Sequence, residues 1–451
     1  MSLATVIDTA RRLAEGRTTS LDLTGQCLAR IGDPSGEGPR AFIRLFAEQA
    51  RATAAAWDGM RRAGVPLPAL AGIPISVKDL CDVRGSTTTA GSVVLKDAPP
   101  AREDAPIVAR LRAAGAVILG TTNMTEFALG GLGLNPHYGT PRNPFDRKAA
   151  RIPGGSSSGA AVSVTDAMAV AAIGTDTAGS VRMPAALCGL AGFKPTARRV
   201  PLAGTLPLAP SLDSIGVLGA TVACCAQVDG IIANEPSDIA SSVPLSRLRF
   251  AVATTLVLDD LEPAVADAFA RALTTLSAAG ARVTEIGFRE LGELPKINAQ
   301  GGFAVAEGYA WHRALLDEKR ALYDPIIGAR FATGARISAA DYIELCNARA
   351  RLIDAARPLT ADFDAVLMPS VPITAPRIAD LEADESLYLA TSRRLIRNPG
   401  VANFLDRCAL TIPCHEPGSA PVGITLMGEA MADHRLLSIG RSVEAVLTHP
   451  H

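Results

Sequence analysis

A chain of 451 residues that is 48% hydrophobic and 20% charged can bury a large core, which excludes an intrinsically disordered protein. Its 44 basic and 45 acidic side chains leave a net charge of -1 and form no dense block, so nothing is built to attract nucleic acid or an anionic membrane. The longest apolar run, Ile215 to Val228, ends at Asp229, short of the roughly 20 residues a bilayer span needs.

In chain order, Leu3, Val6, Ile7, Ala10 and Leu13 fall at helical spacing, and Thr18 to Ser20 offer caps for a second helix through Leu28 to Ile31. This opening is charged every few residues and lacks the apolar core of a signal peptide, so a cytoplasmic protein is expected. Ala41 to Leu45 reads as a short strand, and an Ala-rich helix follows to about Ala63. Ile73, Ile75 and Val77 then alternate as in a strand facing a core, with Lys78 on the opposite parity at its end. By position alone Lys78 reads as a surface lysine beside Asp79. If the apolar setting encloses it, it becomes an amine that gives up its charge and serves as a base.

Asp104 is placed to cap a helix with Pro106 in its first turn and Gly115 past its end, and Ala116 to Leu119 follows as a strand. Asn123 and Glu126 have capping-box spacing, which fits the start of another βα unit and is preferred over the alternative that the pair touches substrate.

The stretch Arg151 to Pro195 organises the rest. Two Gly/Ser clusters, Gly154 to Gly159 and Gly174 to Ser180, are flanked by core-like residues, whereas a flexible linker has polar flanks. A strand-like run, Val170 to Ile173, empties into the second cluster, and Val181 to Leu187 can begin a short helix. Backbone N–H groups at such a turn point outwards together, which suits an anion or oxyanion. A phosphate loop is disfavoured because neither cluster continues into GK[ST] and no GxGxxG occurs. Ser180 needs a base to become a nucleophile. No histidine sits in a nucleophile-elbow context, and a neutral Lys78 that takes a proton from one of Ser156 and Ser180, which then deprotonates the other, is an arrangement that needs none.

Downstream, Ser211 to Gly216 reads as a turn. Leu248 to Ala253, Pro263 to Ala279 and Ala281 to Ile286 read as strand, helix and strand. Residues 303 to 357 are mainly helical. Asp364 to Pro369, Ala409 to Pro413 and Pro421 to Met427 add strands, and Asp433 to Val446 a closing helix. The expected architecture is one α/β domain over 1–451, with a mixed, largely parallel twisted sheet covered by helices on both faces. Within it, 1–65 is a helical N-terminal segment, 70–220 the core that carries the motifs, and 300–400 a helical segment covering the site. Eight cysteines, without a CxxC pair, read as reduced thiols. No HExxH occurs, and His415 beside Cys414 and Glu416 is too sparse a cluster to hold a metal.

The blocks GIPISVKD, PGGSSSGAA, GTDTAGSVRMPAALCGLAGFKPT and SLDSIG resemble the amidase signature family of Ser-Ser-Lys hydrolases, most strongly from about Leu70 to Gly219. The two candidate serines stand 24 residues apart, as in that family's pattern. By this resemblance Lys78 is the base, Ser156 the bridging serine on a cis peptide, and Ser180 the nucleophile. Thr177, Ala178, Gly179 and Ser180 correspond to the oxyanion-hole loop, with Ala178 where the family carries glycine. Gly155, Ser157, Asp176 and Arg182 are supporting positions, the last two read as buried scaffolding.

The resemblance implies an amidohydrolase that cleaves the C–N bond of a small carboxamide through an acyl-enzyme, with no metal and no organic cofactor. Its expected partner is the amide substrate alone, without nucleic acid or membrane, and a homodimer is left open. The alternative is the amidotransferase component, the A subunit, of a tRNA-dependent glutamyl/aspartyl amidotransferase complex.

Overall fold

Residues 74 to 78 form a strand in which both parities are buried, so a sheet covered on two faces surrounds it. The computed structural model describes residues 3–235 and 242–448. Among the described residues one sheet runs through the molecule, built from β1 (Phe42–Leu45), β2 (Pro74–Lys78), β3 (Val117–Thr122), β4 (Ala171–Asp176), β5 (Ala191–Lys194), β6 (Ser214–Gly219), β7 (Arg249–Ala253), β8 (Arg282–Ile286), β9 (Ala365–Pro369), β10 (Ala409–Pro413) and β11 (Gly423–Met427). Their spatial order is β1-β3-β2-β4-β6-β5-β10-β11-β9-β7-β8.

This is the expected single α/β domain with a mixed sheet. Parallel pairing occupies two blocks, β3-β2-β4 and β9-β7-β8, where helical crossovers return the chain in the same sense. Between them β4-β6-β5-β10-β11-β9 pair antiparallel, as does β1 on β3 at one edge.

The odd residues Ile73, Ile75 and Val77 join a large apolar core with helices Pro106–Ala113, Val222–Ala233 and Asp433–Thr448. On the other face Ala172 of β4 packs with Ala160, Ala161 and Val164 of helix Ser158–Thr165 and with Ala185 of helix Arg182–Cys188. Ser76 reaches this second face, where its hydroxyl meets that of Ser163 at 2.8 Å. Lys78 shares its parity, so the sheet delivers the lysine towards the two Gly/Ser clusters.

Three local readings change. Helix Pro106–Ala113 has Ala105 at its cap, while Asp104 accepts from the Arg84 N–H at 2.8 Å and pairs with Arg112 at 2.9 Å. The LCGLAGFK and SLDSIG stretches contribute strands β5 and β6, which pair with each other. Both are short and glycine-containing, so alternation is too brief to show in the sequence. The apolar run at 215–228 divides into all but the first residue of β6 and the first part of helix Val222–Ala233, capped by Thr221 at 3.3 Å. All eight cysteines are free thiols, and six of them are buried. Among the described residues no helix is long and apolar enough to cross a membrane.

Candidate active site

β2 and β4 lie side by side in parallel register, which brings Lys78 at the end of one to Thr175 near the end of the other. Lys78 Nζ donates to Ser156 Oγ at 2.8 Å and to Thr175 Oγ1 at 2.8 Å. The lysine is 0% exposed, which rules out the surface reading. Burial lowers its pKa from 10.5 to about 7, against the opposing pull of Cys81, Asp176 and Asp213. An amine poised near neutrality can take up and return a proton during turnover.

Ser156 stands just ahead of helix Ser158–Thr165, and the Gly155–Ser156 peptide bond is cis. The segment 125–131 holds this peptide from both sides. Thr125 N–H donates to the Ser156 carbonyl at 3.1 Å, and Gly155 N–H donates to the Gly131 carbonyl at 2.7 Å. A Cβ at Gly155 would lie 2.6 Å from Gly133 N, so the two backbones pass at a distance only glycine permits. Ser157 ties the serine loops together, its N–H donating to the Ser180 carbonyl at 3.2 Å and its hydroxyl to the Thr175 carbonyl at 3.3 Å.

Ser180 is 5% exposed and follows the turn that leaves β4. Among the described residues its hydroxyl makes no hydrogen bond. The Lys78–Ser156 leg of the expected relay is therefore formed, and the Ser156–Ser180 leg is not closed by a hydrogen bond in this conformation.

Asp176 organises the turn. Its Oδ1 accepts from Gly179 N–H at 2.8 Å and Arg182 Nη2 at 3.0 Å, and its Oδ2 from Arg182 Nε at 3.0 Å and Val181 N–H at 3.2 Å. Asn403 completes the cluster, donating to Asp176 Oδ1 at 2.9 Å and accepting from Arg182 Nη2 at 2.6 Å. Burial raises the Asp176 carboxyl, but the Arg182 guanidinium outweighs it and, with Lys194 and Asn403, holds the group well below the usual carboxylate range. Asp176 and Arg182 are both fully buried.

The four-residue donor loop needs one correction. The Gly179 N–H is committed to Asp176, which leaves the N–H groups of Thr177, Ala178 and Ser180 without partners among the described residues. Gly179 is also the residue with positive φ, at +116°, so alanine at 178 meets no backbone obstacle. Thr177 is fixed by its hydroxyl, which donates to Asp213 Oδ1 at 2.5 Å.

Asn123 and Glu126 form no capping box. Asn123 Nδ2 donates to the carbonyls of Arg40 and Gly139 at 2.8 and 2.7 Å. Glu126 is buried in a short 3-10 turn and accepts from three other segments. Sequence reasoning passed over Thr175 and Asp213, although both lie inside the quoted blocks. It also passed over Asn403, Arg330 and Tyr388, which lie in no block. Arg330, on helix Pro325–Ala332, donates to the Leu129 carbonyl at 2.9 Å and forms no ion pair among the described residues, Asp324 being the carboxylate that acts on it from further off. A Cβ built on Gly130 would lie 3.8 Å from Arg330 Nη1 and 3.7 Å from Tyr388 Oη, which places both groups at the segment that grips Ser156. A cavity of about 530 Å³ lined by Pro201, Ser211, Arg349 and Asp406 includes none of Lys78, Ser156 or Ser180.

The model of the family described as Amidase matches residues 22–437. The chain belongs to the amidase signature family. The 2-amino-5-chloromuconic acid deaminase of Comamonas testosteroni is 38% identical to this amidase over 89% of its chain and 87% of the relative. The A subunit of a glutamyl-tRNA(Gln) amidotransferase from Roseiflexus sp. (strain RS-1) is 33% identical over 98% and 96%. A crystal structure of an amidase superposes with a TM-score of 0.88 at 31% identity, covering 98% of this chain and 99% of the other. This amidase is thus an enzyme related to hydrolases of carbon–nitrogen bonds.

Proposed function

We propose that this amidase hydrolyses a small carboxamide through an acyl-enzyme on Ser180. The observation that carries the reading is the fully buried Lys78 amine, 2.8 Å from Ser156 Oγ and near-neutral in pKa. Neutral Lys78 takes the Ser156 proton, Ser156 takes that of Ser180, and Ser180 Oγ bonds to the carboxamide carbon. The N–H groups of Thr177, Ala178 and Ser180 stabilise the oxyanion that develops. Charged Lys78 returns the proton through Ser156 to the leaving nitrogen, because an amide anion is too basic to depart. Water then repeats the sequence on the ester, giving carboxylate and free enzyme. This requires the Ser180 hydroxyl to come within hydrogen-bond reach of Ser156 when substrate binds.

The substrate class proposed is an amide that carries a carboxylate elsewhere in the molecule. Arg330 supports it, being a half-buried guanidinium at the Ser156 segment that forms no ion pair among the described residues, with Asp324 acting on it only through longer-range attraction. Burial raises the nearby Tyr388 phenol to about 12, which keeps it a neutral donor beside the same anion. The relative that acts on 2-amino-5-chloromuconic acid is consistent with this choice. Helices between residues 300 and 400 thereby cover the site. Eight unpaired thiols support a cytoplasmic setting.

The second reading, the amidotransferase component of a larger complex, draws on near full-length similarity to such a protein. The purified chain should release ammonia from carboxylated amides without tRNA or a second protein. Turnover that appears only when a partner protein is added would replace the first reading by the second.

A further inference from the structure

A buried carboxylate with no place in the proton relay joins the two halves of this site. Glu126 is 0% exposed, and its two oxygens receive three donors from distant parts of the chain. Oε1 accepts from Ser92 Oγ at 2.7 Å and lies 2.8 Å from His137 Nε2. Oε2 accepts from the backbone N–H of Asp324 at 2.8 Å. Asp324 is the N-cap of helix Pro325–Ala332, its own carboxylate receiving the Ile326 N–H at 2.8 Å, and that helix carries Arg330.

The helix is consequently fastened to one short segment at both ends. Its start is held by Glu126, and near its end Arg330 reaches the carbonyl of Leu129, three residues further along the same segment. The same segment grips the Ser156 peptide through Thr125 N–H and the Gly131 carbonyl. Phe127 and Ala128, between the two fastenings, adopt positive φ of 49° and 61°. Non-glycine residues keep such a conformation when the surroundings hold it in place.

We infer that Glu126 is a positioning residue for substrate selection, which fixes the distance between the Arg330 guanidinium and the Ser156 peptide. It touches no substrate and acts through the Asp324 N–H and the helix behind it. The inference rests on the proposal that Arg330 receives a substrate carboxylate. Its signature is selective: loss of the Glu126 side chain weakens binding of carboxylated amides while the chemistry of uncharged amides persists. Backbone groups of Thr125 and Gly131, not that side chain, hold the Ser156 peptide, and Lys78 and the Asp176 cluster lie on other elements.

The test measures kcat and KM on a panel of monoamides of dicarboxylic acids, from malonamate to glutaramate, against uncharged amides of matching length. Arg330→Gln should raise KM for the carboxylated series at least about tenfold, since a charge-assisted contact is lost. No preference for that series in the unmodified enzyme, or none lost in Arg330→Gln, overturns the substrate proposal itself. Given that preference, Glu126→Ala should raise KM for the carboxylated series about tenfold, with kcat on uncharged amides within about threefold. Glu126→Gln should recover most of the loss, because an amide oxygen still accepts the Asp324 N–H.

Asp324→Pro provides a second route that leaves Glu126 in place. It removes the N–H at a position whose φ of -51° proline tolerates, and Asp324→Ala controls for the lost cap. Asp324→Pro should show the selective KM rise beyond that of Asp324→Ala. Equal losses on both substrate series, or no difference between the two Asp324 variants, would overturn the inference while leaving Arg330 in its role.

Discussion

Lys78 and Asp176 occupy neighbouring strands, both fully buried, and carry opposite perturbations: burial brings the lysine down to about 7, while Arg182 holds the aspartate ionised against burial. Asp176 is answered by a guanidinium and so keeps its charge, whereas Lys78 is met by two hydroxyls and gives its charge up. The contrast sets a paired, ionised carboxylate against an amine able to take up a proton, and it leads to measurements that treat the two residues differently.

The first concerns pH. Below its pKa the lysine is an ammonium and cannot accept the Ser156 proton, so kcat/KM should fall as pH drops through about 7 and level off above it. Lys78→Ala should lose at least about a hundredfold at pH 7, within the range general-base catalysis supplies. A Lys78→Ala enzyme with an unchanged rate and profile would assign the proton to another group.

Thr175 offers a finer test, because its hydroxyl accepts from Lys78 and thereby favours the charged amine. Thr175→Val keeps the volume and removes the acceptor. The inflection of the pH profile should move to lower pH, with a reduced plateau from a less well-held amine. An inflection that rises instead would mean that the hydroxyl does not stabilise the charged form.

Ser180→Ala should leave the fold intact and abolish labelling by a serine-directed fluorophosphonate, since no other hydroxyl is expected to form the covalent bond. Thermal unfolding supplies the folding control. Undiminished labelling of this variant would remove Ser180 from its proposed role.

The Asp176 cluster should answer in stability rather than in pH dependence. Asp176→Ala leaves the fully buried Arg182 without its counter-charge and should cost about 3–5 kcal/mol, the range for breaking a buried ion pair on one side. Asn403→Ala strands fewer groups and should cost about 1–3 kcal/mol. Denaturant titrations that rank Asn403→Ala above Asp176→Ala would show that the cluster is organised around the wrong residue.

The sequence by itself determined the local chemistry. The alternation of Ile73, Ile75 and Val77 defined the strand that presents Lys78, the two Gly/Ser clusters marked the loops of Ser156 and Ser180, and their blocks carried the family resemblance. These features are contiguous in the chain, so periodicity and spacing express them directly.

Only the tertiary structure decided whether Lys78 is a surface residue or a buried amine, because its parity places it away from one core and the helix Ser158–Thr165 encloses it on the other side. It also decided that Gly179 spends its N–H on Asp176, that Asn403 completes the buried pair, and that Glu126 anchors a distant helix instead of capping its own. Each of these depends on partners brought together by the fold, and burial and hydrogen-bond partnership are properties of the folded surroundings that no short window of sequence contains.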